Sequence, residues 1–127
     1  MGLSTKRNGA MNVKTPMRAP WSDIAPHLTD ISNNVLFDDV WRRPGLSPRD
    51  RSLITVASLI ALYRGNELKF HLGKALENGV TRDEIIEMIT HLAFYSGWPT
   101  ASTALGIARE VFGARPRESN ESKGTPK

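Results

Sequence analysis

The sequence contains no cysteine among its 127 residues. The absence of thiols excludes disulfides, zinc sites with thiolate ligands, iron–sulfur clusters and every thiol-based peroxidase or redox mechanism. Long hydrophobic runs are also absent, since no stretch approaches the roughly 18 uninterrupted apolar residues that a membrane-spanning helix needs. The N-terminus lacks the hydrophobic segment of a secretory signal peptide. We therefore expect a cytoplasmic protein with no membrane partner.

Basic charge is concentrated at the two ends of the chain and is scarce between them. The net charge is +4, and residues 1–20 carry +4 while residues 114–127 carry +2, which leaves −2 for residues 21–113. A nucleic-acid-binding domain concentrates lysine and arginine on a folded face, so we predict no nucleic acid partner. The composition predicts a disordered basic leader over 1–20, a folded domain over 21–113 and a disordered tail over 114–127.

The apolar spacing between the two ends predicts consecutive helices and no strand. Ile24, Leu28, Ile31 and Val35 recur at intervals of three and four residues, which predicts a first amphipathic helix. A pattern of helix and short turn continues along the chain, about five helices in all. The sequence therefore predicts an all-α helical bundle.

The second predicted helix is unusually apolar. Ser47 and Pro48 mark its start, because serine caps helix N-termini and proline fits the first turn. Its apolar residues point to nearly every side: Leu53, Ile54, Val56, Ala57, Leu59, Ile60, Ala61 and Leu62. Such a helix is expected to be buried all round. A chain of this size has little interior to surround one helix, so we expect a homo-oligomer whose other subunits cover part of it.

Cap residues predict the bounds of the remaining helices. We expect Asn66 to cap the third helix and Gly79 to close it in the left-handed conformation. The stretch Thr81–Glu84 has the pattern of a capping box for a fourth helix that runs to about Tyr95. Pro99 marks the start of the fifth helix.

His71 and Glu67 are the first candidates for a chemical role. They lie four residues apart and therefore share a face of the third helix. One interpretation is a surface ion pair, or a core histidine whose hydrogen bonds are satisfied. The other is a general acid/base histidine that a carboxylate orients and tunes.

The other candidates are aromatic, histidine and arginine side chains suited to substrate contacts: Trp41, Arg42, Arg51, Arg64, His91 and Tyr95. The arginines are either solvent-facing charges or a recognition site for a small carboxylate. The aromatic residues are core or interface side chains, unless their face lines a pocket. The histidines show no metal-ligand spacing, and no glycine-rich phosphate loop follows a strand. We therefore expect neither a metal nor an organic cofactor.

Several stretches taken together resemble one known family. They are Asp39–Ser47, Arg49–Val56, Glu67–Leu72, Asn78–Ile85 and Tyr95–Pro99. In this order, and nearly without gaps over about residues 36 to 112, they are similar to the carboxymuconolactone decarboxylase family. The resemblance implies the all-α fold of alkylhydroperoxidase D and a hexameric or trimeric assembly.

The resemblance also separates this chain from the peroxidase branch of that fold. The signature of alkylhydroperoxidase D is Cys-x-x-Cys-x-x-x-His, and His71 matches its histidine. The two cysteine positions correspond to Arg64 and Glu67. Peroxidase activity through that motif is therefore excluded for this chain.

The family resemblance implies a cofactor-free decarboxylation of 4-carboxymuconolactone, or of a related small lactone or carboxylic acid, in the breakdown of aromatic compounds. Arg42 or Arg51 would hold the carboxylate, His71 would deliver the proton, and Glu67 would orient His71. Arg64, Trp41, His91 and Tyr95 would complete the substrate contacts. The alternative is a non-catalytic oligomeric protein of the same fold that binds a small ligand.

Overall fold

The structure of the protein, a computed structural model, describes residues 19–115. Within this range it contains five α-helices and no strand, which confirms the predicted all-α class. The helices are α1 (Pro26–Ile31), α2 (Pro48–Ala61), α3 (Gly65–Glu77), α4 (Arg82–Tyr95) and α5 (Trp98–Gly113). None of these described helices combines the length and apolarity that crossing a membrane requires. The predicted disorder of the leader and of the tail falls almost wholly outside the described residues.

The described residues divide into two compact units, and the division lies between Arg43 and Pro44. In the first unit, α1 continues directly into a π-helical turn, Ser32–Phe37, and a short 3₁₀ helix follows at Val40–Arg42. The backbone N–H of Asp38 donates to the carbonyl of Asn33 at 3.0 Å, five residues earlier. This bond closes the wider turn that defines a π-helix.

The predicted first helix is confirmed, but its apolar side chains are exposed in the single chain. Ile24 lies in the turn before α1, and Val35 lies in the π-helical turn after it. These two residues therefore do not follow the spacing of one regular α-helix, which the sequence pattern assumed. The apolar stripe is interrupted at both ends of α1 for this reason.

The second unit has one hydrophobic core between α2, α3, α4 and α5. Its buried members are Val56, Ile60, Leu68, Leu72, Ala75, Val80, Ile85, Ile89, Ala101, Ala104, Ala108 and Val111. The buried residues of α5 are three alanines and a valine, and such small side chains let neighbouring helix backbones approach closely. Each fully buried leucine or isoleucine contributes about 1.5–3 kcal/mol relative to an exposed one.

Helix α2 is buried on one side only in the single chain, and the burial of its remaining sides by other subunits stays a prediction. Its buried residues are Ser52, Val56 and Ile60, which follow helical spacing toward the core. Ile54 of α2 and Leu62, which directly follows α2, are 55% and 59% exposed. A helix that packs against two or three neighbours on one side leaves its outer face to solvent or to another subunit.

The turn between α2 and α3 leads directly into α3, which begins without the predicted side-chain cap. Tyr63 has a φ of 63°, and its N–H donates to the carbonyl of Ile60 at 3.0 Å. The N–H of Arg64 donates to Leu59 at 2.8 Å, which completes a Schellman motif. The chain then enters α3 at once, with Arg64 in the N-cap position and no side-chain cap. The prediction that Asn66 caps α3 is therefore wrong.

The other predicted caps are confirmed. The Ser47 hydroxyl accepts from the N–H of Asp50 at 3.0 Å at the start of α2. Gly79 has a φ of 102° after α3, in the same Schellman position that Tyr63 occupies after α2. At the start of α4, Thr81 and Glu84 form both hydrogen bonds of the capping box at 3.0 Å.

Candidate active site

His71 lies in the middle of α3 with its imidazole half-buried. The buried neighbours Leu68 and Leu72 fix the helix against the core and thereby set the direction of this side chain. The ring of Phe70 meets the imidazole edge to face, with the ring centres 5.0 Å apart. The Nδ1 atom of His71 is buried and has no hydrogen-bond partner among residues 19–115. A buried polar atom without a partner is uncommon, and it makes His71 a candidate functional residue.

The surroundings of His71 lower its pKa below the ordinary value for histidine. Burial is the largest cause, because it disfavours the charged imidazolium. The positive charge of Lys74 acts in the same direction, and the negative charge of Glu67 acts against both. The neutral imidazole is therefore the main form at neutral pH, and the imidazolium is a stronger acid than in free histidine.

Glu67 lies on the same helix face as His71, as its spacing predicts, but its side chain is exposed. Within residues 19–115, no hydrogen bond or ion pair joins it to His71. Its influence on the imidazole is electrostatic through space and not a direct contact. Because the Glu67 carboxylate is exposed, water and salt screen its charge strongly.

The arginine candidates lie on different elements. Arg64 occupies the N-cap position of α3 with an exposed side chain, and Arg51 lies in the first turn of α2, partly buried. Arg42 belongs to the 3₁₀ helix of the first unit, where its Nη1 is 3.1 Å from Oδ1 of Asp38. Beside it, Trp41 stacks on Phe37 with the ring centres 6.3 Å apart.

His91 and Tyr95 form a pair on α4. Their rings are nearly parallel, at 30°, with centres 4.8 Å apart. Tyr95 is 78% exposed, and in the described chain no hydrogen bond, ion pair or ring contact joins either residue to His71. The structure therefore brings His91 and Tyr95 together but does not connect them to α3.

Sequence reasoning missed two neighbours of His71. Lys74 lies one turn after it, and the i, i+3 spacing was the available signal for their interaction. Phe70 is half-exposed and contacts the imidazole, although aromatic residues at helical spacing are core residues by default. Among residues 19–115 there is also no group of three or more metal-ligating side chains.

Comparison with known proteins relates the chain to a family and to several of its members. The sequence model of the carboxymuconolactone decarboxylase family matches residues 26–110. A 4-carboxymuconolactone decarboxylase of Acinetobacter baylyi is 49% identical over 74 residues, which are 58% of this chain and 55% of that protein. A nitrosuccinic acid decarboxylase of Metarhizium robertsii is 39% identical over 73 residues, which are 58% of this chain and 51% of that protein.

A third relative is an uncharacterized 15.0 kDa protein of Paracoccus denitrificans, 29% identical over 84 residues, which are 65% of this chain and 63% of that protein. The matched segment thus spans little more than half of the first two relatives. The family match, in contrast, extends over most of the described residues, from α1 into α5. The chain therefore belongs to the carboxymuconolactone decarboxylase family.

Proposed function

We propose that this protein is a cofactor-free decarboxylase in which His71 delivers a proton to carbon. The observation that carries this proposal is the half-buried His71 with an unpartnered Nδ1 atom, in a chain related to two proteins named as decarboxylases. A group with a shifted pKa and a free hydrogen-bonding atom is a candidate for acid/base chemistry.

The names of the two relatives indicate the substrate class. In 4-carboxymuconolactone, electrons left by departing CO₂ pass through the ring double bond onto the lactone carbonyl. In nitrosuccinic acid they pass onto a nitro group beside the reacting carbon. Each compound therefore contains its own electron acceptor, and decarboxylation of such a carboxylate needs no cofactor as an electron sink. We infer that the substrate is a small carboxylic acid of this activated kind, with 4-carboxymuconolactone as the first to test.

The proposed step balances without a further reactant. The bond between the carboxylate carbon and the neighbouring carbon breaks, CO₂ leaves, and the electron pair delocalises onto the acceptor oxygen. The His71 imidazolium then transfers its proton to carbon, and the imidazole takes up a new proton from solvent, so one proton is consumed for each CO₂ released. The acidity of the imidazolium, which its burial increases, favours this transfer.

Positively charged side chains complete the proposed site. Arg51, which belongs to the same unit as His71, holds the carboxylate, with Arg64 as a further cation at the start of α3. His91 and Tyr95 supply substrate contacts, and Glu67 tunes the pKa of His71 through its charge. An apolar surround favours loss of an ionised carboxylate as neutral CO₂.

The test is turnover by the variant His71→Gln. Glutamine keeps a similar size and hydrogen bonds but cannot transfer a proton near neutral pH, so we expect turnover to fall by about 10²- to 10⁴-fold. His27→Gln is the matched control, because His27 is an exposed histidine in α1 outside the proposed site. Equal turnover of 4-carboxymuconolactone by the wild type and by folded His71→Gln would contradict the proposal.

The alternative function is binding of a small carboxylate without catalysis. It is favoured by the absence of a bond between Glu67 and His71 in the described chain, because an acid/base histidine is usually held in place by a partner. Carboxylate binding that depends on Arg42 or Arg51, with no CO₂ release from any activated carboxylate, would establish this alternative.

We also infer that the protein works as a homo-oligomer, a trimer or a hexamer. Beyond the outer face of α2, a second apolar surface lies where α4 meets α5. There Phe94, Tyr95 and Trp98 are all exposed, and the rings of Phe94 and Trp98 are 5.3 Å apart. Large exposed apolar surfaces are typical of protein interfaces.

A further inference from the structure

A cavity of about 240 Å³ lies between α3 and the C-terminal end of α5, next to the candidate active site, with which it shares Phe70 and Lys74 but not His71. Its lining includes Lys69, Phe70, Lys74, Glu77, Val111 and Arg115. Three of these side chains are positively charged and one is negatively charged. Nothing in the proposed decarboxylation uses Lys69, Val111 or Arg115.

The positive charges of the cavity are only loosely paired. The Nζ atom of Lys69 is 3.5 Å from Oε1 of Glu110. The two oxygens of Glu77 are shared, with Oε1 at 3.4 Å from Nζ of Lys74 and Oε2 at 3.4 Å from Nη2 of Arg115. Strong charge-assisted hydrogen bonds between nitrogen and a carboxylate are shorter, at about 2.7–2.9 Å. The cluster therefore retains attraction for another anion.

Arg115 is held at the cavity from two sides. Its backbone carbonyl accepts a hydrogen bond from Nη2 of Arg82 at 2.8 Å, and the Arg82 guanidinium lies over the Phe112 ring at 5.1 Å. Its own guanidinium lies against the buried Gly73, where an added Cβ atom would be only 2.6 Å from Nη2. The missing side chain at residue 73 thus provides the space for the guanidinium.

The cavity also has an apolar wall. Phe70 and Val111 line it, and Val111 belongs to the buried core. A site for a bare inorganic ion gains nothing from apolar side chains, whereas the carbon atoms of an organic ligand do. The volume is below the range of about 300–1,000 Å³ typical of pockets for drug-sized ligands, which limits the ligand to a few carbon atoms.

We propose that this cavity is a binding site for a small organic carboxylate, with the Arg115 guanidinium as its main contact and Phe70 and Val111 against its carbon atoms. The guanidinium presents a planar pair of donors that matches a carboxylate. Lys69 and Lys74 supply additional positive charge. This site goes beyond the proposed function, since its occupation requires no turnover.

The test uses succinate as the probe, titrated into the full chain and followed by the amide signals of Gly73 and Val111 in NMR spectra. We expect Arg115→Gln to weaken succinate binding at least tenfold. Gly73→Ala, which displaces the guanidinium, should weaken it similarly. Arg109→Gln is the control, because it removes the same charge from an exposed position of α5 that does not line the cavity.

Three results would overturn this assignment. The first is unchanged succinate binding by folded Arg115→Gln, and the second is a loss of affinity in Arg109→Gln as large as in Arg115→Gln. The third is inorganic phosphate binding as tightly as succinate, because the apolar wall would then contribute nothing. Folded Arg115→Gln should keep the wild-type turnover of 4-carboxymuconolactone, because Arg115 has no part in the proposed decarboxylation, so failure of the proposed catalysis and failure of this site are distinguishable.

Discussion

His71 lies between opposite charges on its own helix, with Lys74 one turn after it and Glu67 one turn before it. Burial is the largest influence on its pKa, and these two charges act on top of it. Because both are exposed or partly exposed, salt weakens their effect more than it weakens the effect of burial. The acidity of this one side chain is therefore adjustable by substitutions that leave the core untouched.

We predict opposite shifts from the two neighbours. Lys74→Gln should raise the pKa of His71, because it removes a positive charge, and Glu67→Gln should lower it. NMR titration of the His71 ring measures both. If the imidazolium is the proton donor, turnover is lost as pH rises through the pKa of His71, so this loss should move to higher pH in Lys74→Gln. Shifts in the same direction for the two variants would contradict the electrostatic account.

The lowered pKa of His71 also predicts how stability depends on pH. The unfolded chain binds a proton near the ordinary histidine pKa of about 6.5, whereas the folded chain binds it only at lower pH. The free energy of unfolding should therefore fall as pH decreases between these two values, and His71 should contribute no such change above them. Urea unfolding at several pH values should show a weaker pH dependence in His71→Gln than in the wild type.

At the scale of elements, two successive helices end in the same Schellman turn with different residues. Gly79 adopts the left-handed conformation after α3 without steric cost, whereas Tyr63 adopts it after α2 with a Cβ atom in place. The Tyr63 hydroxyl lies 3.4 Å from Oγ1 of Thr103 in α5, a long contact that contributes little. The turn after α2 therefore carries backbone strain that the turn after α3 avoids.

Substitutions in these turns should change stability with opposite signs. Gly79→Ala should destabilise the protein by about 1–2 kcal/mol, because the Cβ atom of alanine crowds the following carbonyl oxygen in the left-handed conformation. Tyr63→Gly relieves that crowding but adds freedom to the unfolded chain, so we expect a gain of up to about 1 kcal/mol. Gly45→Ala is the control, since Gly45 has no positive φ and no atom within 4 Å of an added Cβ. Denaturant unfolding measures all three, and a stabilising Gly79→Ala would contradict the argument.

At the scale of the whole molecule, many large apolar side chains are exposed within the part of the chain that the structure describes. The outer face of α2 and the aromatic residues where α4 meets α5 are exposed, while the buried core is formed largely by the inner sides of α2 to α5. Such surfaces lower the free energy of the protein when a second copy covers them. We therefore expect both the fraction of assembled protein and the free energy of unfolding to increase with protein concentration.

We predict that a lysine on the outer face of α2 disrupts assembly without unfolding the chain. Ile54→Lys places a charge where we expect a subunit contact, so light scattering should show a smaller particle than the trimer or hexamer that we propose for the wild type, with unchanged helix content by circular dichroism. Asn66→Lys adds the same charge at an exposed position of α3, a helix that contributes to neither of the two apolar surfaces, and should leave the particle size unchanged. A wild-type monomer at micromolar concentration would remove the oligomer proposal.

The sequence alone determined the features that depend on local chemistry. The all-α class, the Ser47 cap, the capping box at Thr81 and the left-handed Gly79 follow from side chains that bond to or permit a nearby backbone conformation. The position of His71 on a helix face beside Glu67 follows from helical spacing in the same way.

Only the tertiary structure decided what depends on residues distant in the chain. It exposed the outer face of α2, because which sides of a helix are covered depends on where the other helices pack. It began α3 at Gly65, because the Schellman turn at Tyr63 leads the chain directly into the helix before Asn66. It also brought Arg115 against Gly73, 42 residues earlier in the sequence, which no local pattern encodes. Burial and long-range contacts depend on how the helices pack against one another, and the residue pattern of a single segment does not specify that packing.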